Sequence, residues 1–146
     1  MYRMAMMAFL LQGTSYDSNK CIRLAIVHDI AESIVGDITP VCGVSDEEKF
    51  RLEEAALLRL KEMLGPVASA EEMESLWREY EAGSTPEAAI VKDFDKLEMI
   101  LQAQEYESAQ GLTLQEFFDS TRGKWRTELG RTWAAEIVAR RPGTSS

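Results

Sequence analysis

Basic residues are in short supply. Sixteen Lys and Arg stand against twenty-five Asp and Glu in 146 residues, a formal charge of −9 with a pI near 4.7. A nucleic-acid polymer needs a basic footprint, so the acidic balance argues against sequence-independent nucleic-acid binding. An anionic membrane surface is disfavoured as a partner for the same reason. A small anionic substrate stays open, because one bound divalent cation reverses the local field. Histidine occurs once, at His28, and with scattered serines it gives no support to a Ser-His-Asp hydrolase. No GxGxxG or GxxxxGK[ST] occurs, so no phosphate loop supports a nucleotide fold. The two cysteines, Cys21 and Cys42, form no CxxC pair; they read as reduced thiols in an intracellular protein, with a single structural bridge as the alternative, and the expected location is the cytoplasm. Long apolar runs are also missing. The stretch from Met4 to Leu11 follows an early Arg3 as in a signal peptide, but Gln12-Gly13-Thr14-Ser15 has no small-x-small cleavage pattern. Eight residues cannot span a bilayer, so the run reads as a buried helix.

What is present is enough for one domain. The 45% apolar content can bury a core, and 28% charge with few Gly and Pro argues against disorder. No segment keeps the strict alternation of a strand, and helix signals punctuate the chain. Ser18 can cap a helix through Ile22 and Ile26 to about Val35. Ser45 with Glu48 forms a capping-box pattern ahead of Phe50 to Leu64, and Ser69 with Glu72 repeats it ahead of Met73 to Tyr80. Thr85-Pro86 opens a helix over Ala88 to Tyr106. Thr113 and Glu116 open a short segment with Phe117 and Phe118. A last helix is expected from about Gly123 to Arg140, with a flexible tail over 141–146. The methionines Met1, Met4, Met6 and Met7 read as core rather than as a soft-metal box, and Trp77, Trp125 and Trp133 as packing residues. The expected architecture is all-α.

Two places break the apolar pattern. His28-Asp29 sits inside the buried-helix run from Ile22 to Ala31, where unpaired polar groups cost several kcal/mol. Glu32 lies one turn beyond His28 on the same face, and Gly36-Asp37 ends the helix with a third carboxylate. These residues fit a core histidine hydrogen-bonded to Asp29 with solvated carboxylates around it. The functional reading is a site for Mn, Fe, Co or Zn, which imidazole and carboxylate ligate. The second place is Ala88 to Tyr106. There Ile90, Phe94, Leu97 and Leu101 make an apolar stripe, with Asp95 at its edge and Asp93 farther round. Periodicity does not say which aspartate points inward, and Lys92, Asp93, Asp95 and Lys96 also read as a solvated face.

At these residues a family pattern becomes visible. HDIAESIVGDITP (His28 to Pro40) followed by VKDFDKLEMILQAQEYE (Val91 to Glu107) resembles the HD-domain metal phosphohydrolases, and within them the eukaryotic branch of the 5′-deoxynucleotidases. LWREYEAGSTPEAA and LQEFFDSTRGKW fit the same branch, so the resemblance covers nearly the whole chain. It implies a helical bundle over residues 1–140 that forms a homodimer and removes the 5′-phosphate from deoxynucleoside monophosphates. It implies a divalent cation (Mn, Co, Mg, Fe or Zn) held by His28, Asp29 and Asp95, with Glu32 and Asp37 catalytic. A second cation would draw on Glu32, Asp37 and the Ile38 carbonyl. The family's first His ligand falls just upstream of Met1, so the domain is expected to lack its N-terminal beginning. With that ligand absent, a non-catalytic helical domain is the alternative; an HD hydrolase acting on another nucleotide is a third reading.

Overall fold

The computed structural model describes residues 1–39 and 42–143, in which eight helices and no strands occur: α1 (Tyr2–Phe9), α2 (Ser18–Val27), α3 (Glu32–Val35), α4 (Asp46–Leu64), α5 (Ala68–Ala82), α6 (Pro86–Gln110), α7 (Gln115–Thr121) and α8 (Glu128–Ala139). Pro40, at the end of the HDIAESIVGDITP motif, and Thr144 to Ser146 of the expected tail lie outside the described residues. No helix among them is long and apolar enough to cross a membrane.

Helix α6 is the axis. Thr85 accepts a hydrogen bond from the Ala88 amide, Pro86 occupies the first turn, and Gly111 in the left-handed region closes the far end. Ile90, Val91, Phe94, Leu97 and Ile100 on α6 are buried against Met4, Met7, Ala8 and Leu11 of the first segment and Leu24 of α2. Trp133 of α8 stacks on Phe94, with ring centroids 5.6 Å apart. A smaller cluster joins Leu57 of α4 to Met73 and Trp77 of α5, where Phe50 lies against the Trp77 ring. Met4 and Met7 are in the core as expected, whereas Met1 and Met6 are exposed.

Several local expectations need correction. Asp17, not Ser18, caps α2, accepting from the Lys20 amide. Ser45 caps α4 as its pattern indicates. Ser69 does not cap α5, which starts earlier, from Val67, with no side-chain cap. Helix α7 begins after Leu114 rather than Thr113, because the Leu114 amide is taken by the Glu107 carboxylate. Helix α8 starts at Glu128, not near Gly123. The Asp93 carboxylate, fully buried, accepts from the Arg126 and Thr127 amides and from the Thr127 hydroxyl, which pins this stretch in an extended approach. Thr127 then caps α8 by accepting from the Gly130 amide.

The correction that matters most falls at His28. The expected helix from Ser18 to Val35 is interrupted, and α2 ends with His28 as its C-cap. Residues 28–31 are tightened by three-residue hydrogen bonds, Ile30 amide to Val27 carbonyl and Glu32 amide to Asp29 carbonyl, before α3 resumes. At about three residues per turn, side chains at i and i+3 eclipse, so Asp29 and Glu32 stack on one side. Gly36, at φ +76°, then turns the chain out of α3 in a conformation that side chains rarely adopt.

Candidate metal and phosphate site

A cleft of about 300 Å³ opens where the 28–31 turn faces the first half of α6, walled by α4 and α5. Its lining carries His28, Asp29, Glu32, Asp95, Lys92 and Tyr80, with Asp46, Lys49, Phe50, Glu53 and Glu81 completing the wall. Six carboxylates and two lysines therefore surround one imidazole. A dianionic ligand is repelled by such a cleft unless a cation enters with it.

The geometry centres on His28. Its side chain is 1% exposed, and its Nδ1 sits 2.7 Å from the Ala25 carbonyl oxygen. A carbonyl can only accept, so Nδ1 carries the proton and Nε2 of the neutral ring presents a lone pair. Nε2 lies 2.8 Å from Asp29 Oδ2 and 3.9 Å from Asp95 Oδ1, yet it has no hydrogen-bond partner. Three electron-rich atoms from two elements of the fold thus converge on one point. Burial disfavours the imidazolium, but the Asp29 carboxylate, the Ala25 carbonyl and Asp95 outweigh it and hold the His28 pKa above its ordinary value. Positive charge is what this point attracts, whether a proton or a metal ion.

The carboxylates respond to the same crowding. Glu32 is pushed up to about 7 by burial, with the Asp29 and Asp37 charges adding to the effect. Asp95 is also raised, by desolvation within the cleft and by Asp29, against the pull of His28. Tyr80 packs against the His28 ring at 5.2 Å between centroids and has its hydroxyl pKa raised by burial. Its ring also carries the Lys92 ammonium, 4.2 Å from the centroid.

The structure brings His28, Asp29, Glu32 and Asp95 to one cleft and leaves Asp37 and Ile38 outside its lining. Asp37 reaches the site through its charge on Glu32. Among the described residues no three His, Cys, Asp or Glu side chains stand together closely enough to hold an ion as they are placed. The donor set nonetheless fits a divalent cation: one imidazole nitrogen with an unused lone pair and two adjacent carboxylates. The two aspartates of α6 now separate. Asp93 is buried in the α8 start, whereas Asp95 has half its side chain exposed in the cleft. The KDFDK segment is therefore not a solvated face. Sequence reasoning passed over Lys49, Glu53, Tyr80 and Glu81, and it read Lys92 only as surface charge. None of these carries a local signal, because each acquires its role from an element distant in sequence.

A family model described as HD domain matches residues 1–133. A Danio rerio protein named 5′-deoxynucleotidase HDDC2 is 50% identical over 127 residues, covering 86% of this chain and 63% of that protein. A Dictyostelium discoideum protein of the same name is 44% identical over 155 aligned positions, covering 97% and 80%. The chain spans less than two thirds of the zebrafish relative. Among solved structures, HD domain-containing protein YGK1 superposes with a TM-score of 0.71 at 31% identity, over 94% of this chain and 72% of that one. A chain described as a predicted metal-dependent phosphohydrolase from Magnetospirillum magnetotacticum gives 0.67 at 28% identity, over 95% and 77%.

Proposed function

The chain belongs to the HD domain family, and on that premise we propose that it is a divalent-metal phosphohydrolase that removes the 5′-phosphate from deoxynucleoside monophosphates. The observation that carries the reading is the buried His28 Nε2, unpartnered and faced by the Asp29 and Asp95 carboxylates. The names of the zebrafish and Dictyostelium relatives support the substrate class, and the name of the Magnetospirillum neighbour supports the metal.

His28, Asp29 and Asp95 are the residues that would hold the cation. When bound, the cation supplies Lewis acidity that polarises the phosphoryl oxygens and makes hydroxide available near neutral pH. The chain's own residues do the rest. The Ala25 carbonyl fixes the His28 tautomer so that Nε2 faces the cleft. Glu32, stacked over Asp29 by the tightened turn, is the group that exchanges a proton with the attacking water or the leaving 5′-oxygen. Asp37 supports Glu32 through its negative charge, and with the Ile38 carbonyl it offers oxygens for a second cation.

The test is phosphate release from dAMP with added Mn²⁺ or Co²⁺, together with metal content. Release that requires both metal and His28 is expected. Wild-type turnover in Asp95→Ala overturns the assignment. A chain that purifies without stoichiometric metal, takes none up and releases no phosphate is a non-catalytic domain instead.

A further inference from the structure

Lys92 is the one cation of the cleft lining without a carboxylate partner among the described residues. Lys49, the other cleft lysine, pairs with Glu53 at 3.6 Å. Elsewhere Lys20 pairs with Glu79 and Lys61 with Glu71 and Glu74, while Lys96 donates to the Lys92 carbonyl outside the cleft lining. Lys92 instead holds its ammonium over the Tyr80 ring, half-buried, with Glu81 and Asp95 acting on it only at longer range. Its stem is confined on the other side. A Cβ built at Gly83 would stand 3.1 Å from Lys92 Cε and 2.7 Å from Arg126 Nη1, and φ +62° is itself a conformation that side chains rarely adopt. Arg126 is itself tied down, its backbone amide held by Asp93 and its guanidinium donating to the Gly83 carbonyl.

Keeping a lysine half-buried beside a second cation, with no carboxylate in contact with it, leaves its donors free for a ligand that brings negative charge. Burial lowers the Lys92 pKa, and Arg126 and Lys96 push the same way against Glu81. The ring of Tyr80 ties this lysine to the metal point, since the same ring packs on His28. One aromatic side chain therefore sets the position of both the imidazole and the ammonium.

We propose that Lys92, aimed by Tyr80 and the Gly83 turn, is the phosphate-binding residue of the cleft: it pairs with the non-bridging oxygens of a phosphate monoester whose remaining charge meets the cation at His28, Asp29 and Asp95. The inference deepens the phosphohydrolase reading and rests on it for the identity of the ester. Tyr80 is a positioning residue, acting through Lys92. The arrangement recognises the phosphate and not the nucleoside, so Lys92 contributes affinity common to all monoester substrates.

The test uses inorganic phosphate and 2′-deoxyadenosine as separate probes on the Mn²⁺-loaded chain. Lys92→Met is expected to weaken phosphate binding about tenfold or more, the scale of one lost charge-assisted hydrogen bond. It should raise KM for dAMP while leaving bound Mn²⁺ and inhibition by 2′-deoxyadenosine unchanged. Lys92→Arg should recover most of the phosphate affinity. Phosphate binding within twofold of wild type in Lys92→Met overturns the proposal. Should that variant lose its fold, acetylation of the wild-type chain decides instead. Phosphate that slows modification of Lys92 relative to Lys49 supports the assignment, and equal rates with and without phosphate overturn it. Failures of the two readings are distinguishable. Lys92-dependent phosphate binding by a chain that neither loads metal nor hydrolyses dAMP removes the hydrolase reading alone. Metal-dependent hydrolysis indifferent to Lys92→Met removes this inference alone.

Discussion

Two polar groups are buried at opposite sides of α6, and they are treated differently. Asp93 is fully buried, and both its oxygens are occupied by the Arg126 and Thr127 amides and the Thr127 hydroxyl. His28 is nearly as buried, and its Nε2 has no hydrogen-bond partner although two carboxylates crowd it. The first arrangement is closed: every bonding capacity is met inside the chain, so it holds structure. The second lacks positive charge and waits for something from outside. Buried polar groups are normally satisfied, so the unsatisfied one marks the place where an external group is expected. Glu107 makes the same point as Asp93. Its carboxylate takes both Nε and Nη2 of Arg141 and the Leu114 amide, and it belongs to the scaffold.

This contrast can be broken in both directions. The largest effect is expected in turnover: His28→Ala or Asp95→Ala should cut dAMP hydrolysis by roughly a thousandfold or more, the several kcal/mol a bound cation supplies. Thermal melting of Asp95→Ala should stay close to wild type, because its side chain is half exposed. A large drop in its melting temperature would erase the distinction from Asp93. Next comes Asp93→Ala. Chemical denaturation should show a loss of about 2 kcal/mol, since it strands two part-buried amides and a hydroxyl. Stability unchanged in that variant would refute the structural role of Asp93.

Gly130→Ala sharpens the same site with a similar expected loss, about 2 kcal/mol, because the added Cβ falls on the Asp93 carboxylate. Its remaining activity, measured below the melting transition, should resemble wild type. The smallest effect concerns acid. The hydrogen bonds from Arg141 hold the Glu107 carboxyl below its usual range, and the Leu114 amide adds to them. A folded pKa depressed below the unfolded value means that the stabilisation is complete above the ordinary glutamate range. It is lost as pH falls through the lowered value. Glu107→Gln should therefore flatten the stability–pH curve on the acid side of that range, as read by melting temperature against pH. A curve parallel to wild type there would show that the pair contributes nothing.

Helix starts were legible where the capping residue works within its own helix, as at Ser45 and Thr85. They were not legible where a distant group had already claimed the backbone. Glu107 takes the Leu114 amide and delays α7, and Asp93 takes the Arg126 and Thr127 amides and delays α8. The same holds for the site. The HDxxE spacing announced His28, Asp29 and Glu32 as polar intruders in an apolar run. It did not announce the tightened turn at 28–31, since no Gly or Pro stands there to mark it. Nor could spacing along α6 separate Asp93 from Asp95. Two residues apart on a helix, they point to well-separated faces, and which face is inner depends on where α8 and the 28–31 turn pack.

The helical class, the apolar stripe of α6 and the residue types of the site were determined by the sequence alone, because period and capping act over a few neighbouring residues. Only the tertiary structure decided that Asp93 closes the start of α8 while Asp95 faces His28, and that Tyr80 carries Lys92 into the same cleft. Those outcomes depend on contacts between residues tens of positions apart, and no local preference records them.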